Sequence, residues 1–102
     1  MRITTVIAMV RGLGEAELLA WVERGWVRPE GADTGWEFHE IDVARIRLIH
    51  DLRYRMEMAE ETIPVVLSLL DQIHDLRGDL RSVLRAVERQ PEAVRRAILS
   101  EL

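Results

Sequence analysis

Residues 63–87, IPVVLSLLDQIHDLRGDLRSVLRAV, decide how this chain is built. Val66, Leu69, Ile73, Leu76, Leu80, Val83 and Val87 recur at alternating spacings of three and four. That is a heptad seam, the pattern of a helix laid along another helix. At its start, Ile63, Val65, Leu67 and Leu70 broaden the stripe, which predicts burial against a folded domain. Beyond Ile73 only the seam remains, with Leu84 beside it and Asp75, Arg77, Asp79, Arg81, Arg85, Glu88 and Arg89 around it. So small a domain cannot cover that seam from within. The expectation is a homodimer joined through Ile73, Leu76, Leu80, Val83 and Val87. The competing reading folds the seam onto the segment after Pro91, which offers Val94, Ile98 and Leu102.

Working outward, 102 residues suit one core and not two. Cysteine is absent, which excludes disulfides and thiolate metal sites. No apolar run is long enough for a bilayer, and the start lacks the basic region of a secretory signal, so the expected location is the cytoplasm. All basic residues are arginine. Up to Ala44, four arginines face eight acids, and from Arg45 onward ten arginines balance ten acids. The net charge of −4 therefore resides in the first half.

Thr4–Val10 reads as a short helix stopped by Gly12 and Gly14, and Glu15–Arg24 as a second helix capped by Gly25. Leu18, Trp21 and Val22 form the inward stripe of that second helix. Trp26-Val27-Arg28 and Trp36-Glu37-Phe38 alternate around a Pro/Gly/Asp turn, which predicts two short strands in a small hairpin. A third helix is expected from about Glu40 to Met58, burying Val43, Ile46, Ile49, Leu52 and Met56. Arg47, Asp51, Tyr54, Arg55 and Met58 lie off that stripe. Pro64 fits only the first turn of the long helix, and Pro91 ends that helix and opens a last short one. The fold class is mainly α: a winged helix-turn-helix over residues 1–59, then a long coiled-coil helix and a short C-terminal helix over 60–102.

The segments GLGEAELLAWVERGWVRP and GWEFHEIDVARIRLIHDLR resemble the DNA-binding half of the MerR family of regulators. The order E-L, G-W-V-R-P, W-E-F, then a helix ending in L-R and IPVVLSLLDQIHDLR, resembles the CbpM chaperone-modulator family more closely. That family is similar to MerR in fold, and the likeness runs from about Gly14 to Arg85. It implies one partner, the J-domain of a CbpA/DnaJ-like co-chaperone, held so that it cannot stimulate Hsp70. The MerR resemblance implies the alternative, a DNA-binding transcriptional regulator.

The residues speak against duplex DNA. Arginine and lysine supply nearly all non-specific affinity for phosphate, and a recognition helix needs polar groups aimed at base edges. The positions that hold arginines in a MerR-like register are Ala16 and Leu19, and the basic wing position is Glu37, followed closely by His39. Glu15, Glu17 and Asp33 add negative charge on the side that would face phosphate.

Catalysis finds no support either. His39, His50 and His74 are scattered over different elements, and no two share a helical face as a metal pair requires. Asp71, Asp75 and Asp79 do share one, a spacing more often met in a solvated face than in a site. No cofactor, metal or membrane partner is expected. The candidate partner-binding face joins the outer side of the third helix, Arg47, Asp51, Tyr54, Arg55 and Met58, to Asp71 and Asp75 on the long helix. An exposed Tyr among Met and charged residues is the composition of an interface anchor with its rim, although Tyr54 packing over a neighbouring helix explains it equally well.

Overall fold

The computed structural model describes residues 1–32 and 35–102. Among the described residues five α-helices follow one another: α1 (Ile3–Met9), α2 (Glu15–Glu23), α3 (Glu40–His50), α4 (Ile63–Glu88) and α5 (Glu92–Ser100). The chain is mainly helical, and its contacts divide it into two compact units, Met1–Leu67 and Ser68–Leu102. The first unit thus takes in the opening turn of α4, whose Ile63 and Leu67 join its core.

That core gathers Val6 of α1, Leu18 and Trp21 of α2, Val43, Ile46 and Ile49 of α3, and Ile63 and Leu67 of α4 around Trp26, Val27 and Phe38. The α3 residues recur every three positions, which puts one edge of the helix on the core. Leu18 and Trp21 do the same for α2, with Val22 packed at the margin. Gly25 ends α2 in a left-handed conformation, φ 76°. Its N–H bonds Val22 O at 3.0 Å, and the Trp26 N–H reaches back to Trp21 O at 2.9 Å. This paired closure satisfies the last carbonyls of the helix and drops Trp26 into the core.

The expected hairpin does not form. Among the described residues, the only sheet-like pairing is one antiparallel bridge between Glu30 and Glu37. The flanking backbone groups are engaged elsewhere: Trp26 and Val27 donate to Trp21 O, and the Phe38 N–H donates to Met1 O at 2.8 Å. Pro29 contributes no donor at all. Trp26 and Val27 are both buried, so that flank does not alternate inward and outward as a strand would. The tip residues Asp33 and Thr34 lie outside the described residues.

The third helix also departs from expectation. It is α-helical only to His50 and then widens into a π turn over Asp51–Arg55. The extra residue in that turn shifts the inward register after Leu52. Met56, expected in the core, is 67% exposed, whereas Met58, expected outside, packs against the core. Glu57 takes a left-handed φ of 53°, and the Met58 N–H closes on Leu52 O at 2.9 Å. Such a closure normally ends on glycine. Here it is one residue wider, as the π turn requires.

The broad start of α4 is less buried than its composition implies. Ile63 and Leu67 are enclosed and Val66 is partly so, but Val65, Leu69 and Leu70 are exposed. Pro64 occupies the first turn of α4, and Pro91 stands directly before α5, both as expected.

Candidate functional site

The loop Val10–Gly14 joins α1 to α2, giving a helix-turn-helix whose second helix presents its outer side to solvent. Glu15, Ala16, Leu19 and Glu23 are exposed there, and Glu17 is half-buried. Both acids of the first turn suit the positive end of the helix dipole. No arginine of α2 projects where a groove-reading helix needs one.

At the base of the loop after α2, the Glu30–Glu37 bridge sets two carboxylates side by side. Cross-strand like charges repel, and each carboxylate has a nitrogen of another residue beside it. The Met1 ammonium lies 2.6 Å from Glu37 Oε1 and also donates to Phe38 O at 2.7 Å. His39 Nε2 lies 3.4 Å from Glu30 Oε2. The hydrogen bond from the Met1 ammonium, chiefly, holds the Glu37 carboxyl below its usual range. The Asp42 carboxylate accepts the His39 N–H at 2.8 Å and so fixes the start of α3. Asp33, expected to add to this acidic side, lies outside the described residues.

On the outer side of α3 and its π turn, Arg47 and Arg55 are exposed and Asp51 is half-buried, 4.0 Å from Arg55. Tyr54 is 47% exposed. Its ring tilts against His50, with centroids 4.8 Å apart, and the Arg53 guanidinium sits 5.5 Å from its centre. Its hydroxyl donates to the Glu17 carboxylate of α2. That bond, more than partial burial, raises the Tyr54 pKa above the usual tyrosine value. Arg47, Asp51, Tyr54 and Arg55 therefore follow one another along a single continuous segment. Met58 stands apart from them, turned to the core. Asp71 and Asp75 belong to the second compact unit.

Two features of this surface escaped the sequence reading. Glu17 is the partner of Tyr54. Ile41, Ala44 and Leu48 form an aliphatic stripe on the solvent side of α3, with Ile41 73% exposed. Their three-and-four spacing, roughly opposite Val43 and Ile46 on the helical wheel, was the available signal.

The α4 seam stands bare on the single chain. Ile73, Leu76, Leu80 and Val83 are exposed, Leu80 at 58%, while Val87 is half-buried. Among the described residues no group of three or more His, Asp or Glu is placed to hold a metal ion, and no helix is long and apolar enough to cross a membrane.

A helix-turn-helix unit followed by a long helix with an apolar seam defines a regulator-type architecture. The sequence profile described as "MerR HTH family regulatory protein" matches residues 2–85, and the chain belongs to that family. Human Nestin is 32% identical over 104 residues, a span covering 98% of this chain and 6% of that protein. So small a share of Nestin transfers no activity. No solved structure matches the chain.

Proposed function

We propose that this MerR-family chain regulates by binding a protein rather than duplex DNA. The partner is the J-domain of a CbpA/DnaJ-like co-chaperone, which it keeps from stimulating Hsp70. The observation that carries the reading is the acidic, arginine-poor outer side of the helix-turn-helix. Glu15 and Glu17 open α2, and Glu30 and Glu37 flank the loop that follows. Phosphate contacts there would be made against repulsion, whereas a basic protein helix would be attracted. J-domains as a class meet Hsp70 through such a helix. The outer side of α3, with Ile41 and Leu48 between charged neighbours, supplies the apolar contact that an interface core needs. The chain acts as a homodimer through the α4 seam and performs no catalysis.

The family itself favours a second reading, a DNA-binding transcriptional regulator. Calorimetry with an isolated J-domain, run beside fluorescence anisotropy on duplex DNA, separates the two. The expected result is heat with the J-domain, suppressed ATP turnover by Hsp70, and only weak DNA association erased by salt. Sequence-specific, sub-micromolar DNA binding at physiological salt, with no J-domain heat, transfers the protein to the second reading.

A further inference from the structure

Three unfavourable features meet in one short segment, residues 51–58. Its backbone takes a π turn, in which the Met56 N–H donates to Asp51 O at 3.0 Å rather than to Leu52 O, four residues back. Glu57, at φ 53°, is the only non-glycine residue with a positive φ among the described residues. Arg53 Nε is enclosed without a hydrogen-bond partner, 4.0 Å from Glu60 Oε1. The same segment carries a spare core residue. Met56 continues the inward spacing of Ile46, Ile49 and Leu52 yet is 67% exposed, and Met58 packs against the core instead. The two side chains are identical, and methionine adapts readily to an irregular space. Either can fill the place without a change in core volume. They also compete for one acceptor. Leu52 O takes the Met58 N–H at 2.9 Å, and in an α-helix the same oxygen takes the Met56 N–H.

We propose that residues 51–58 form a two-register switch. In one register the π turn closes through Glu57 and Met58 is inward. In the other, α3 runs on as α-helix to Met56, which takes both the core place and the Leu52 carbonyl, and Met58 turns outward. Each register gives something up, which keeps the two close in energy. The first holds the π turn and the left-handed Glu57. The second gives up the Tyr54–Glu17 bond and the contact of Arg53 Nη1 with Met58 O at 3.4 Å. Residues beyond the turn rotate between the two by up to about 100°, one residue of an α-helix. That rotation draws Tyr54 off Glu17 and resets Arg55 beside Asp51. The switch therefore regulates the face that Asp51, Tyr54 and Arg55 share, and this regulatory side rests on the proposed function. A partner that fits one setting of those side chains selects its register, by no more than its difference in affinity for the two.

The test is amide nitrogen relaxation dispersion on the full chain. Exchange on the microsecond-to-millisecond scale is expected at residues 54–58. Glu57→Gly favours the left-handed residue and is expected to lower the second population about two- to fivefold. Met56→Gln faces solvent in the first register but buries an amide in the second. It is expected to lower that population about tenfold or more, with circular dichroism unchanged. Silence at these amides in the wild type overturns the switch. So does exchange that Met56→Gln leaves at its wild-type amplitude, because fraying does not depend on which methionine is inward. An isolated J-domain added to saturation is expected to quench the exchange as one register is selected. Binding with unaltered exchange overturns the regulatory role alone. Absence of binding overturns the proposed partner, and the two variants then decide the switch by themselves.

Discussion

The Tyr54 hydroxyl donates a hydrogen bond to the Glu17 carboxylate, tying the π turn after α3 to the outer side of α2. The bond occupies one acid of the surface that a groove-reading helix would use. It also holds in place the ring of an exposed tyrosine. Tyr54 is the only tyrosine, so its ionisation can be followed alone by tyrosinate absorbance. With its folded pKa raised, the stabilising proton is fully in place below the unfolded value of about 10, and the contribution is lost as pH rises through the folded value. Glu17→Gln is expected to bring the absorbance midpoint back down. Tyr54→Phe is expected to cost about 0.5–1 kcal/mol in urea unfolding, the modest return of a half-exposed hydrogen bond. An unchanged midpoint in Glu17→Gln rules the bond out.

Glu57 pays a conformational penalty that glycine would not. At φ 53° a side chain crowds the following carbonyl, at roughly 1–2 kcal/mol, offset in part by the extra freedom glycine has when unfolded. Glu57→Gly is expected to stabilise the chain by about 0.5–1 kcal/mol, read as a higher urea midpoint with the same slope. Destabilisation would mean that the turn does not close through Glu57.

Sequence reading reached the helices because their signals are local. Gly25 after Trp21 and Val22, Pro64 and Pro91 each constrain the backbone where they stand, and the elements begin or end there. It failed where distant groups compete. The strand pattern around Trp36 is real, but the Phe38 N–H is taken by Met1 O and the Trp26 N–H by Trp21 O, and neither partner is visible in the pattern itself. Met56 and Met58 were exchanged for a related reason. Helical periodicity assumes a constant register, and one π turn at Asp51–Arg55 breaks it. Of the surface, Tyr54, Arg47 and Arg55 were legible as exposed. The Glu17–Tyr54 pairing across 37 positions was not.

The glycines make opposite predictions at two places. Gly31 has φ 97°, and a Cβ there would come within 2.5 Å of the Gly35 carbonyl oxygen. Gly31→Ala must therefore move backbone and is expected to cost about 1–3 kcal/mol. Gly78 lies inside α4 with nothing within 4 Å of an added Cβ, two residues from both Leu76 and Leu80 and so away from the seam. Gly78→Ala is expected to add up to about 1 kcal/mol of stability and to leave assembly unaltered. Thermal unfolding and sedimentation of the two variants check both statements.

If the outer side of α3 receives a basic helix, its apolar and charged parts should respond differently. Exposed charges are screened over about 8 Å at physiological ionic strength, so binding steered by the acids should weaken as salt rises. Asp51→Arg removes the Arg55 pairing and adds a repelling charge, so it should weaken binding most at low salt. Ile41→Ser and Leu48→Ser remove apolar contact without changing charge, so their losses should persist at high salt. Tyr54→Ala should cost about 1–3 kcal/mol of binding if the ring anchors the partner, and little if its role ends at Glu17. Stability changes are separated by repeating each titration with Tyr54→Phe, which keeps the ring and loses only the hydroxyl. Calorimetry of these variants against one J-domain, with circular dichroism to confirm folding, measures all of them. Full affinity in Asp51→Arg, Ile41→Ser and Leu48→Ser together would move the binding face off α3.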